Sequence, residues 1–395
     1  MILNNVNSII SYAEQYKDKT FDVFPFTEVD SLILCQLSYL SYDRFVGDVK
    51  SASSAVLLED IYNSENYEDL FKDYWYKEEN KKLLKNIVSS DRYKGMKLNF
   101  FDKVINEDND TQFAAVTFIL NDKSIYLAFR GTDATLVGWK EDMKLAYSHP
   151  IRSQELAREY VDKVSSMIAG PFKVGGHSKG GNLAVYAAMY CKAATRKRIE
   201  DVFDHDGPGF RPEIRKKGKY EEIRSRIHKF IPRFSTVGII LEDSDDYEVV
   251  DCWGVGTLQH NSYMWKSEGG RFIRSKGMTD YKKLKDISLN EWIYSLTEDE
   301  VGIFIDTLYE LLTAADGKTL YDLAANPKKS LESAYITFKD MDQKTKDILS
   351  NIMKKYLEIS SDLIIEGFKA KKEALKEEVR NWQKSSRALI RTNKK

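Results

Sequence analysis

Cysteine is scarce in this chain: three residues in 395, Cys35, Cys191 and Cys252, odd in number and widely spaced. That excludes a disulfide framework, and no paired-ligand spacing points to a zinc site. Long apolar runs are missing too. No stretch reaches the ~18 apolar residues of a membrane span, and the start, Met-Ile-Leu-Asn-Asn-Val-Asn, lacks the basic and apolar regions of a secretory signal. A cytoplasmic product is the default expectation, with signal-independent secretion open. An excess of one charge is also lacking, since 60 basic and 61 acidic side chains leave a formal charge of -1. Nothing global therefore points to nucleic acid or an anionic membrane surface. Histidine is rare at five, so any histidine base must be His149, His177, His205, His228 or His260.

What is present is a folded composition, 42 % hydrophobic and 31 % charged, with enough apolar material for a sizeable core. An amphipathic helix is expected from about Val29 to Tyr42, and a charged, aromatic helical cover from Glu59 to Ser90. Phe113–Ile119 and Ser124–Arg130, separated by Asn121-Asp122, read as a hairpin. Helix Gln154 to Ala169 leads to a strand at Phe172–Gly175 and a helix at Asn182–Tyr190. Further strands are expected at Asp201–His205, Ile227–Phe234 and Tyr247–Trp253. The alternation predicts an α/β protein with a mostly parallel sheet and helices on both faces. Beyond about Lys285 only helical stretches remain, near Glu298–Ala315, Lys328–Tyr356 and Ser360–Leu389. The expected organisation is thus residues 1–284 as an α/β domain with an N-terminal helical cover and 285–395 as a helical C-terminal region. Residues 366–395 hold ten Lys/Arg against four Glu, a solvated helix face with a frayed tail, or a docking surface for an acidic protein partner or a membrane.

Gly176-His177-Ser178-Lys179-Gly180 carries the chemistry. The pentapeptide follows a short β-rich run and opens a helix, the setting a nucleophile elbow requires, and makes Ser178 the candidate nucleophile. The helix N-terminus directs the Lys179 N–H toward a developing oxyanion. A second donor is needed from another loop, and Thr132 in Phe129-Arg-Gly-Thr-Asp133 is placed to supply it. Only His260 lies on a loop beyond the last strand, where the order nucleophile, acid, base puts the histidine. Asp142 falls out of that order and reads as a helix-start or loop-pinning carboxylate; Trp139 reads as packing or as part of a lid.

These motifs resemble the class 3 lipase family of fungal triglyceride lipases in Phe-Arg-Gly-Thr132, Gly138-Trp-Lys-Glu-Asp142, Gly-His-Ser-Lys-Gly180 and His260-Asn-Ser-Tyr263. They resemble more closely a bacterial family of class-3-lipase-like hydrolases, through Pro25-Phe-Thr-Glu-Val-Asp30, Gly176 to Asn182, Asp206-Gly-Pro-Gly-Phe210 and Gln259-His260. The resemblance spans roughly residues 20 to 275. It implies an α/β-hydrolase fold, an ester or lipid substrate, a Ser, Asp, His triad and no metal or organic cofactor. It departs at the acid: Ile231-Pro-Arg-Phe-Ser235-Thr-Val237 offers serine where those lipases carry aspartate. Asp206, at the end of the strand after the nucleophile helix, is the first candidate, and Asp243 in Glu242-Asp-Ser-Asp-Asp246 the alternative. Two further readings stay open. Some phospholipase A-type toxins of the type VII secretion system look like this, with a lipase domain before a helical region, and Phe338-Lys-Asp-Met-Asp342 resembles a targeting pattern of such substrates. The other is an inactive hydrolase fold used as a binding scaffold.

Overall fold

A computed structural model describes residues 7–48, 55–71, 76–133, 135–145, 147–215, 218–242, 246–254, 256–275, 280–314 and 327–361. Eight strands form one sheet in sequence order: β1 Val56–Leu57, β2 Lys97–Asn106, β3 Thr111–Ile119, β4 Ile125–Phe129, β5 Phe172–His177, β6 Ile199–His205, β7 Ile227–Pro232 and β8 Glu248–Val250. Pairing is antiparallel from β1 to β4 and parallel from β4 to β8. This is the expected α/β sheet.

Parallel strands that advance in one direction with right-handed crossovers place all their crossover helices on one face. Leu127 and Phe129 of β4, with Val174 and Val202, pack there against helices Arg152–Met167 and Lys179–Tyr190. Tyr126 and Ala128 alternate to the opposite face, as the two-residue period of a strand requires. Tyr263, Trp265 and Phe272 pack on part of that face, and the N-terminal segment covers much of the rest. Helices Ile9–Gln15, Glu28–Leu37 and Lys77–Val88 cover it through Ile9, Leu32, Ile33, Leu83 and Leu84.

The Pro25 to Asp30 segment anchors this cover. Thr27 caps helix Glu28–Leu37, and Asp30 completes the capping box by accepting from the Thr27 N–H at 2.8 Å. The Asp30 carboxylate is fully buried, yet Arg92 meets it with Nε at 2.8 Å and Nη2 at 2.6 Å, and the Tyr12 and Tyr93 hydroxyls donate to it. A buried charge paired in this way is strongly destabilised when one partner is removed. One segment therefore fixes both a helix start and the packing of the cover on the sheet.

Among the described residues four helices follow the sheet: Asp280–Ser295, Glu298–Thr313, Pro327–Asp340 and one over 343–361. The first was not expected from the sequence. The expected single helix from Lys328 to Tyr356 is broken at Met341-Asp342, where the Asp342 carboxylate accepts from the Thr345 N–H at 3.0 Å and caps the next helix. Asp342 of the Phe338…Asp342 pattern thus has a capping role. The expected stretch Ser360–Leu389 lies almost wholly outside the described residues. Leu296, Val301, Ile305 and Ile352 form a small core among these helices, joined by Met143 of helix Leu136–Lys144. Among the described residues no helix is long and apolar enough to cross a membrane.

Candidate active site

Ser178 stands between β5 and helix Lys179–Tyr190 with φ 59° and ψ -134°, a conformation that a non-glycine residue holds only when its surroundings enforce it. Its N–H bonds the His205 carbonyl of β6 at 2.9 Å, and its carbonyl accepts from Gly181 at 2.9 Å. The turn is tight enough that a side chain on Gly176 would strike the Gly180 backbone, and one on Gly180 would strike the Phe129 carbonyl. The G-x-S-x-G spacing follows from these contacts.

Asp206 directly follows β6 and is fully buried. Its Oδ2 lies 2.5 Å from His260 Nδ1, and its Oδ1 accepts from the Ser235 hydroxyl at 2.6 Å and the Gly238 N–H at 3.1 Å. The carboxylate fixes the His260 tautomer with the proton on Nδ1, leaving Nε2 free to accept. Ser235, the residue standing where aspartate was expected, hydrogen-bonds the aspartate one strand earlier. Asp243 lies outside the described residues. Ser178 and His260 line one cavity, and among the described residues no hydrogen bond joins the Ser178 hydroxyl to His260.

His149, His205 and His228 do not line that cavity. His205 is buried against Ser31 at 2.8 Å, with its pKa pushed down to about 3 by burial. His228 pairs with Asp201 at 2.9 Å. His149 is also lowered, by burial and then by Arg211. His177 is closer to the centre: its Nε2 donates to the His260 carbonyl at 2.8 Å, and its Nδ1 accepts from the Tyr39 hydroxyl at 3.1 Å. Sequence reasoning set His177 aside because it sits inside the elbow and missed Tyr39 altogether.

Thr132 lies on the loop after β4 and lines the cavity, and Lys179 opens the helix after Ser178. Neither backbone N–H is used in a hydrogen bond among the described residues. The Lys179 side chain turns inward and is fully buried, 2.9 Å from Glu141, 2.8 Å from the Gln112 carbonyl and 2.7 Å from Gln112 Oε1. Burial alone would lower the Lys179 pKa, but Glu141 and Asp142 outweigh it and hold the ammonium above its ordinary value. Asp142 accepts a short hydrogen bond from the Thr132 hydroxyl and lies 3.6 Å from Lys179 Nζ. It sits near the end of helix Leu136–Lys144, so it pins the Thr132 loop and does not start a helix. Burial raises its pKa to about 6 against the opposing pull of Lys179. Trp139 lines the cavity.

A family model described as Mbeg1-like matches residues 87–310, more than half of the chain. The chain belongs to the Mbeg1-like family. This is a lipase-like family. No curated protein and no solved structure matches the chain. The Mbeg1-like match takes in β2 to β8, Ser178, Asp206 and His260, and runs on through helix Asp280–Ser295 into helix Glu298–Thr313. The N-terminal helices Ile9–Gln15 and Glu28–Leu37 precede it.

Proposed function

We propose that the chain is a serine hydrolase that cleaves carboxylic esters, those of lipids foremost, through an acyl-enzyme on Ser178. The observation that carries this reading is the Asp206 to His260 contact of 2.5 Å beside the cavity that Ser178 also lines. His260 Nε2 takes the Ser178 proton as Oγ attacks the ester carbonyl, a pairing that closes when substrate is bound. The N–H groups of Thr132 and Lys179 hold the oxyanion, and Asp206 stabilises the imidazolium. His260 then protonates the leaving alcohol, and water hydrolyses the acyl-enzyme with His260 again as base. Membership of a lipase-like family supports the same reading.

The test is Ser178→Ala against a series of p-nitrophenyl esters and a fluorophosphonate probe. Hydrolysis and labelling should fall to background. Hydrolysis retained by Ser178→Ala would overturn the proposal.

A further inference from the structure

We propose that helices Asp280–Ser295 and Glu298–Thr313 form the acyl-binding wall of the active site, and that their side chains set the length of the acyl chain accepted. The inference rests on the ester-hydrolase reading above and names what that reading leaves open.

The cavity at Ser178 has a volume of about 610 Å³. At ~30 Å³ for a water-sized group, that is room for on the order of twenty heavy atoms. Its lining is mostly apolar, and much of it comes from these two helices. Leu289 and Trp292 contribute from the first and Leu296 from the turn just after it; Val301, Ile305 and Leu308 contribute from the second. The step of three from Leu289 to Trp292, and the steps of four and three through Val301, Ile305 and Leu308, place each helical set along one helix face. Leu296, Val301 and Ile305 pack together with Ile352, and both sets also border the cavity that Ser178 and His260 line. Trp139 and Met143 line it from helix Leu136–Lys144.

The wall is tied to the site rather than hung beside it. Asn290 accepts from the Leu241 N–H at 2.9 Å and donates to the Ile239 carbonyl at 2.9 Å, and so grips the loop whose Gly238 N–H bonds Asp206. Lys140 meets Asp306 at 3.1 Å, and Trp292 Nε1 donates to the Ile352 carbonyl at 3.0 Å. An apolar wall held this firmly fits a long unbranched acyl chain, because nothing in the Leu289, Trp292, Leu296 and Val301, Ile305, Leu308 stripes offers a polar partner.

The experiment compares the full-length protein with Ile305→Trp, which fills the cavity, and Trp292→Ala, which enlarges it. The substrates are p-nitrophenyl butyrate, octanoate, laurate and palmitate. For the unmodified chain, kcat/KM should rise about fourfold per added methylene until the cavity is full. Ile305→Trp should lower the laurate-to-butyrate ratio at least tenfold, and Trp292→Ala should move the optimum toward palmitate. Displacement of a fluorescent fatty acid by laurate, measured on Ser178→Ala with and without Ile305→Trp, gives a readout that needs no catalysis. It should weaken at least tenfold in the double variant. Unchanged ratios and unchanged fatty-acid binding in folded variants would overturn the wall. Absence of any Ser178-dependent hydrolysis, with fatty-acid binding still lost in the Ile305→Trp background, would overturn the hydrolase reading and leave the wall standing.

Discussion

His177 Nε2 donates a hydrogen bond to the backbone carbonyl of His260 at 2.8 Å, and the two imidazoles lie with ring centroids 4.7 Å apart. The carbonyl can only accept, so the proton is on Nε2 and His177 Nδ1 accepts from Tyr39. Burial, reinforced by His260, holds the His177 pKa well below its ordinary value. His177 therefore stays neutral and serves as a fixed strut under the proposed base. His177→Phe keeps the ring and removes the donor. It should lower kcat by about ten- to a hundredfold with little change in KM, since a misplaced reacting group is costly even when substrate still binds. His177→Gln retains an N–H donor and should recover part of the loss. Steady-state kinetics with a parallel thermal melt check this. A fall in Tm with kcat intact would assign the residue to folding alone.

Much of the sheet was legible because β3 to β7 are short apolar runs bounded by turn residues, and the elbow was legible because Gly176 and Gly180 have no room for side chains. β2 was not. A bulge between Asn99 and Asp102, with Phe100 at φ 55°, breaks the two-residue alternation that identifies a strand. At the site, chain order pointed to His260 and a strand end to Asp206. The residues that sequence missed act through folding partners far along the chain: Tyr39 on His177, Gln112 and Glu141 on Lys179, Asn290 on the loop beside Asp206. No local pattern encodes such pairs. Helix Asp280–Ser295 was missed because its charged first half, Asp280-Tyr-Lys-Lys-Leu-Lys-Asp286, has no continuous apolar face to signal it.

Lys179 and Glu141 form a salt bridge whose side chains are 0 % and 2 % exposed. Glu141 also accepts from the Gln112 and Ser153 N–H groups at 3.0 and 3.1 Å, so the carboxylate organises three segments around one ammonium. Removing one member leaves an uncompensated buried charge. Lys179→Met should therefore lower the unfolding free energy by about 3–5 kcal/mol. Adding Glu141→Gln removes the orphaned charge and should restore at least half of that loss. Urea unfolding of the two variants checks the expectation, and equal loss in both would show that packing rather than charge is what Lys179 supplies.

Asp142 joins the Thr132 loop to this network, and its folded pKa of about 6 lies above the ordinary 3.8 of an aspartate because burial disfavours the carboxylate. The sign of the stability effect follows from proton uptake. Between pH 4 and 6 the folded chain binds more of the Asp142 proton than the unfolded chain does, so this group's contribution falls as pH rises and reaches its minimum above about pH 6. Asp142→Asn removes the titration while keeping an oxygen to accept from Thr132. At pH 8 the variant should gain relative to the parent by about 1–2 kcal/mol, or a few degrees in Tm, compared with their difference at pH 4.5. The same substitution weakens the pull on Lys179 and replaces a charged acceptor of the Thr132 hydroxyl with a weaker neutral one, so ester turnover should fall about three- to tenfold at pH 8 even as stability improves. Melting curves at the two pH values, with kinetics at the upper one, test both halves. A stability difference that grows in favour of the parent as pH rises would mean that Asp142 is held ionised by Lys179 throughout, and that burial is the weaker influence on it.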